Sequence, residues 1–190
     1  MFLERLFEID GLGIRAGEGG SWPQLFTAAF AHGSWGHFWS NALALGVLGV
    51  ALFHFFPAYA LRVFVLLPWV SMIPVWLWAR PAVHLGASGW VFGLIGFLFF
   101  GGIFQKNKSG WAISGAVLVL YGGVLAAPTD AGISWEAHLS GGLLGSLMAL
   151  LWVRVPLGVS PEVKPSPDFD YTTGYRPIEN QYFRYEIRED

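Results

Sequence analysis

The sequence contains no cysteine, which excludes disulfides, thiolate nucleophiles and cysteine-based metal sites. Charged residues are also scarce, at 13% of the chain against about 25% in a typical soluble domain. Hydrophobic residues make up 54%, more than a soluble fold can cover with polar surface. This composition indicates a chain that crosses a lipid bilayer. Between residues 38 and 152 the only charged residues, each at a break between apolar runs, are Arg62, Arg80, Lys106, Lys108, Asp130 and Glu136.

Two further absences narrow the function classes. The net charge of −2 comes without a basic patch, so we expect no nucleic-acid partner. Residues 1–21 lack an apolar core followed by a small-residue cleavage site, so we predict no signal peptide.

Five stretches have the length of about 20 mainly apolar residues that a membrane-spanning helix needs. Because lipid offers no hydrogen-bond partners to the backbone, we predict an all-α, polytopic transmembrane helical bundle. Pro68 and Pro74 predict a kink in the second stretch. The five stretches are segments A (His37–Phe56), B (Arg62–Ala79), C (Leu85–Phe104), D (Trp111–Ala127) and E (Ala137–Val153).

The short connections predict the orientation. The positive-inside rule places the A–B and C–D connections and the start of the tail in the cytoplasm, because they hold Arg62, Lys106, Lys108, Arg154 and Lys164. On the opposite side the B–C connection holds Arg80, and the only charged residues of the D–E connection are the acids Asp130 and Glu136. Segments A, C and E therefore begin at the outer face. Labelling of single introduced cysteines tests this orientation, and a tail cysteine that reacts from outside intact cells would contradict it.

The apolar stretches and the charges between them divide the chain into three parts. We expect residues 1–36 to form an extracytoplasmic loop segment and residues 37–153 to form the membrane domain. Residues 154–190 contain Pro161, Pro165 and Pro167 followed by mixed charges, which predicts a cytoplasmic tail with little fixed structure.

Polar side chains collect where three of the predicted helices begin. His37 and Asn41 lie in the first turns of segment A, with His32 just before it, Ser88 lies in the first turn of C, and His138 in that of E. Polar groups inside a membrane are costly and usually face a bundle interior or a water-filled cavity. Their convergence at one face predicts a functional site.

Segments C and E also carry stripes of small residues, which let helix backbones approach closely. His138 shares the face of the stripe in E, and Ser88 adjoins the stripe in C. If the stripes pack together, Ser88 and His138 come within reach, and the histidine can take the serine proton as a general base. The stripes consist of Gly89 and Gly93 in segment C, and Gly141 and Gly145 in segment E.

Plainer interpretations exist for each residue. Ser88 could be a small packing residue, and Asn41 could hydrogen-bond across helices. A lone histidine at a helix end is often an interfacial anchor, which is the interpretation we adopt for His54 and His84.

Three motifs together resemble the rhomboid family of intramembrane serine proteases, over roughly residues 22–153. They are His32-x4-His37-x3-Asn41, Gly86-Ala87-Ser88-Gly89, and Ala137-His138-x2-Gly141-x3-Gly145. The resemblance implies a Ser88–His138 dyad without an acidic third member, and an oxyanion site made of the Ser88 backbone N–H and the side chains of His37 and Asn41. It gives His32 a structural or water-organising role and Gly86 a packing role.

The resemblance also implies that the substrates are transmembrane segments of other proteins, with the lipid bilayer as surroundings and no cofactor or metal. It implies a bacterial inner membrane location, with the active site near the outer face. Rhomboids of the basic bacterial type have a further membrane helix before the His–Asn helix. Residues 1–9 are too short and too charged to form it, so we expect a late-assigned start site or a truncated chain rather than a true five-helix variant.

Other function classes are less compatible with the sequence. Trp90 stands where a soluble hydrolase elbow, Gly-x-Ser-x-Gly, has its second glycine, and no His-Glu-x-x-His metalloprotease motif is present. The alternative function is an inactive rhomboid-like protein that binds membrane clients. Metal analysis would test a further option, a metal or haem bound by His32, His37, His84 and His138.

Overall fold

The computed structural model describes residues 11–126 and 134–154, which are mostly helical. A π-helical turn, Leu150–Arg154, continues the last helix. The predicted all-α bundle is confirmed. The helices of the described residues are α1 (Trp35–Phe55), α2 (Pro57–Val70), α3 (Met72–Trp78), α4 (Ser88–Gln105), α5 (Lys108–Ala126) and α6 (Trp135–Ala149), with 3-10 helices at Gly19–Phe26 and Ala28–Phe30.

Four spans of the described residues are long and apolar enough to cross a membrane, one fewer than the five predicted. They match segments A, B, C and E. Segment D forms α5, which is 19 residues long but is not among the four. It begins with the polar Lys108 and Ser109 and runs up to the undescribed residues 127–133. The apolar stretch that the structure describes is therefore shorter than the 19 residues of the helix. The four spans are Trp35–Phe55, Pro57–Trp78, Ser88–Gln105 and Trp135–Arg154.

Local signals set the helix boundaries. Ser34 caps α1 by accepting the His37 backbone N–H at 3.1 Å, so the helix begins two residues before the predicted start. Segment C was predicted to begin at Leu85, which is wrong by three residues. Gly86 has a φ of +110°, which only glycine adopts readily and which no right-handed helix contains, so α4 cannot begin before it.

Segment B is broken at Ser71, between α2 and α3, as its two prolines predicted. Pro74 has no N–H to donate, and its ring clashes with the carbonyl four residues earlier. The Ser140 hydroxyl of α6 donates to the Ser71 carbonyl at 2.6 Å and so supplies a partner at the break.

A two-stranded antiparallel pair was not predicted. β1 (Ile14–Arg15) pairs with β2 (Val83–His84), with Ile14 opposite His84. The pair fastens the segment before α1 to the connection between α3 and α4. Both Ile14 and His84 are buried there.

Helix α4 is the centre of the bundle. About two thirds of its span, 67%, is buried, against at most 39% of any other span. Its side chains Leu94, Phe97 and Leu98 are fully buried. Large apolar side chains such as Val50 on α1 and Val119 on α5 are exposed instead, which suits helices that face lipid. Ser88 is the first residue of this central helix.

Residues 155–190 of the predicted tail, residues 127–133 of the D–E connection and residues 1–10 lie outside the described residues. Their assigned roles stay predictions.

Candidate active site

Ser88 is the first residue of α4 and is half-buried. Its backbone N–H is one of the four at a helix start that have no partner within the helix, and the positive end of the helix dipole lies there. The Gly86 N–H donates to the Ala28 carbonyl at 2.8 Å, and the Val91 N–H donates to the Ala87 carbonyl at 2.9 Å. The chain is thus fixed on both sides of Ser88.

His138 lies beside the same helix start. Its ring stacks on the ring of Phe92, with centroids 4.0 Å apart and planes inclined by 9°. Phe92 follows Ser88 by one helical turn and so lies on the same face of α4. Among the described residues no hydrogen bond joins Ser88 to His138, and such bonds are often long before substrate binds. The structure therefore places nucleophile and base candidates on facing surfaces.

Helices α4 and α6 approach each other backbone to backbone. A methyl group at Gly141 would overlap the Gly89 carbonyl, and one at Gly145 would overlap the Gly93 carbonyl. One at Gly89 would lie 3.3 Å from the Ala137 carbonyl, the residue before His138. The glycines of the two predicted stripes thus form the contact between α4 and α6, the helices on which Ser88 and His138 lie.

Two histidines flank the loop that leads into α4. The ring of His37 lies against Gly86, where a Cβ would come within 2.9 Å of Nε2. His32 is buried; its Nδ1 donates to the Phe30 carbonyl at 3.2 Å and its Nε2 accepts the Ala87 N–H at 3.4 Å. Burial lowers the pKa of His32, which suits a ring whose second nitrogen acts as an acceptor. The rings of His32 and His37 are 5.1 Å apart.

Asn41 lies one helical turn after His37 on α1 and is 7% exposed. Its Nδ2 is buried and has no hydrogen-bond partner among the described residues. Leaving a buried donor unpaired costs about 1–3 kcal/mol, and such groups are rare enough in native folds to need an explanation. A bound group that accepts a hydrogen bond from Asn41 Nδ2 would be such an explanation.

The interpretation of His84 as an interfacial anchor is wrong. The side chain is 2% exposed, because β2 pairs with β1 and holds it inside. Its ring lies 2.7 Å from Ser134 Oγ and 3.0 Å from the Arg80 carbonyl. His54, the other assigned anchor, is exposed near the end of α1.

Glu136 was predicted to lie in the D–E connection, but it belongs to α6, which begins two residues before the predicted start of segment E. It is 1% exposed, because it lies in the first turn of α6 with its Oε1 3.4 Å from Arg80 Nε. Within the described ranges, no three His, Asp or Glu side chains are placed to hold a metal ion.

Comparisons with known proteins agree on the family. Residues 19–155 match the family model described as Rhomboid domain. An uncharacterised protein of Mycobacterium tuberculosis is 33% identical over 149 residues, which are 70% of this chain and 59% of that protein. An uncharacterised protein of Mycobacterium leprae is 32% identical over 144 residues, covering 65% and 53%.

A plant relative extends the range of organisms. Rhomboid-like protein 11, chloroplastic, of Arabidopsis thaliana is 31% identical over 167 residues, which are 77% of this chain and 58% of that protein. The chain thus spans somewhat more than half the length of the relatives it matches. The predicted resemblance is confirmed, and the chain belongs to the rhomboid family of integral membrane proteins.

Proposed function

We propose that this protein is an intramembrane serine protease that cleaves transmembrane segments of other membrane proteins. The observation that carries the proposal is the stacking of His138 on Phe92, one helical turn from Ser88 at the start of α4. Ser88 Oγ attacks the scissile carbonyl carbon while His138 takes its proton. His138 then gives that proton to the leaving amine as the peptide C–N bond breaks. Water next attacks the acyl-enzyme and gives a proton to His138, which returns it to Ser88 Oγ as the ester bond breaks and the carboxylic acid product leaves.

The oxyanion formed in this attack needs donors aimed at it. We assign this role to the Ser88 backbone N–H, which a helix start leaves without an intrahelical partner, and to the side chains of Asn41 and His37. The unpartnered Nδ2 of Asn41 supports this assignment. His32 holds the loop before the nucleophile, since its Nε2 accepts the Ala87 N–H.

A fluorophosphonate probe tests the proposal, because such probes react with serines that a base has activated. We expect the probe to label the wild-type protein and not Ser88→Ala. Ser109→Ala, an exposed serine at the start of α5, is the matched control and should label normally. Equal labelling of Ser88→Ala would refute the assignment. A folded wild type that binds membrane clients without labelling would favour the alternative, an inactive client-binding protein.

We further propose that the active site lies near the outer face of a bacterial inner membrane. The basic residues of the short connections support this orientation. The helix starts that carry Ser88, His138 and Asn41 then share that face.

Replacement of Asn41 separates the donor role from a packing role. We expect Asn41→Ala to lower kcat by about 10²–10³-fold, the usual cost of one lost oxyanion donor. Its unfolding temperature should stay close to wild type, because the removed Nδ2 makes no hydrogen bond among the described residues. We expect Asn41→Asp to be near-normal in stability and severely impaired in kcat, since an ionised carboxylate cannot donate.

Asn107 offers a contrast at the other end of the bundle. Its Oδ1 accepts the Gly110 N–H at 2.7 Å, so Asn107→Ala should lower stability by about 1 kcal/mol and leave kcat per folded molecule unchanged. Full activity of Asn41→Asp at neutral pH would show that Asn41 is not a donor to the oxyanion.

A further inference from the structure

One hydrogen bond links the two connections that lead into Ser88 and His138. His84 precedes Ser88 by four residues, and Ser134 precedes His138 by four. His84 Nδ1 and Ser134 Oγ are 2.7 Å apart. The bond therefore joins the chain just before the nucleophile to the chain just before the base.

The partners of this bond determine its direction. The Arg80 carbonyl, 3.0 Å from His84 Nε2, can only accept, so Nε2 carries a hydrogen. In the neutral imidazole Nδ1 then accepts from the Ser134 hydroxyl. Ser134 Oγ in turn accepts the Ala137 N–H at 3.3 Å, which is the N-cap bond of α6. One hydroxyl thus both caps α6 and ties its start to His84.

The surroundings hold both ends of the bond. His84 is 2% exposed and lies in β2, opposite Ile14 of β1. Glu136, in the first turn of α6, accepts the Arg80 backbone N–H at 3.4 Å. The connection before α4 is therefore tied to the start of α6 at two points, Ser134 and Glu136.

We propose that His84 and Ser134 are positioning residues for the reaction, and this inference rests on the proposed function. The glycine contacts fix how closely α4 and α6 pack. The His84–Ser134 bond fixes the start of α6 against the start of α4, and so fixes His138 against Ser88. A displacement of about 1 Å in such a site can cost about 10²-fold in rate.

Three variants test this role. Ser134→Gly removes the partner hydroxyl, and glycine costs a helix cap little relative to serine. His84→Ala removes both hydrogen bonds of the ring, whereas His84→Gln keeps one donor and one acceptor. His54→Ala is the matched control, because that histidine is exposed on α1.

The decisive quantity is kcat per reactive site on a transmembrane substrate, with sites counted by complete fluorophosphonate labelling. We expect Ser134→Gly and His84→Ala each to lower it by about 10–10²-fold, with KM within about twofold of wild type. His84→Gln should recover most of the loss. The double variant, His84→Ala with Ser134→Gly, should be little worse than either single variant, because both remove the same bond.

A merely structural role would lower the number of reactive sites and the unfolding temperature while kcat per site stayed at the wild-type value. That result, or wild-type kcat in Ser134→Gly, overturns the inference. If His84→Ala does not fold, Ser134→Gly decides alone. A wild type that neither labels nor cleaves contradicts the proposed function and the inference with it, whereas an active wild type with equally active variants contradicts the inference alone.

Discussion

Replacing Ser88 or His138 with alanine is expected to remove nearly all cleavage of a transmembrane substrate. The loss for each variant should be about 10⁴-fold or more, as for other serine–histidine pairs. The reason is that Ser88 Oγ is a weak nucleophile until a base takes its proton, and His138 has no task without that proton. The double variant should therefore be little worse than either single one. The measurement is turnover of one substrate by all three variants in the same detergent or lipid.

The matched controls are Ser109→Ala and His54→Ala, which change the same residue types at exposed positions and should retain full turnover. Circular dichroism and unfolding temperature would show that the site variants are folded. Losses that multiply in the double variant would mean that the two residues act independently and do not form a dyad.

Gly141→Ala and Gly145→Ala are expected to have the second large effect, on assembly of the bundle. The added methyl groups would overlap the carbonyl oxygens of Gly89 and Gly93. Rigid backbone cannot move aside as a flexible side chain can, so α4 and α6 must separate. Overpacking typically costs about 1–3 kcal/mol, and we expect these two variants at or above the upper end. Unfolding temperature and the number of fluorophosphonate-reactive sites measure the effect.

Gly115→Ala on α5 is the control for the change of residue type. No atom lies within 4 Å of a Cβ at Gly115, and alanine favours a helix more than glycine by about 1 kcal/mol. This variant should be at least as stable as wild type. Wild-type stability and turnover in Gly145→Ala would show that α4 and α6 can accommodate an added methyl group, contrary to the structure.

Much of the fold could be predicted from the length of apolar runs, because a bilayer of fixed thickness demands helices of a fixed minimum length. The break at Ser71 followed from proline chemistry. The β1–β2 pair could not be predicted, because two-residue strands leave no alternation in the sequence. The start of α4 was misplaced because Leu85 continues an apolar pattern, whereas the φ of Gly86 is set by contacts with distant elements.

The placement of His37 and Asn41 on one face of a helix start could be predicted, because they lie four residues apart in the sequence. His84 was misjudged because its partner Ser134 lies 50 residues further along the chain, and nothing local to a lone histidine reveals burial. The burial of Glu136 could not be predicted for a similar reason. An acid in the first turn of a helix commonly faces water, and its burial beside Arg80 depends on how the connection before α4 folds back.

The central burial of α4 also governs which positions of the chain can drift during evolution. Positions such as Val50 and Val119 face outward, where lipid accepts one apolar side chain about as well as another. Leu94, Phe97 and Leu98 are fully buried against protein, where a change of even one methylene group is felt. We therefore expect exchanges between apolar residues to be tolerated better at Val50 and Val119 than at the buried positions of α4.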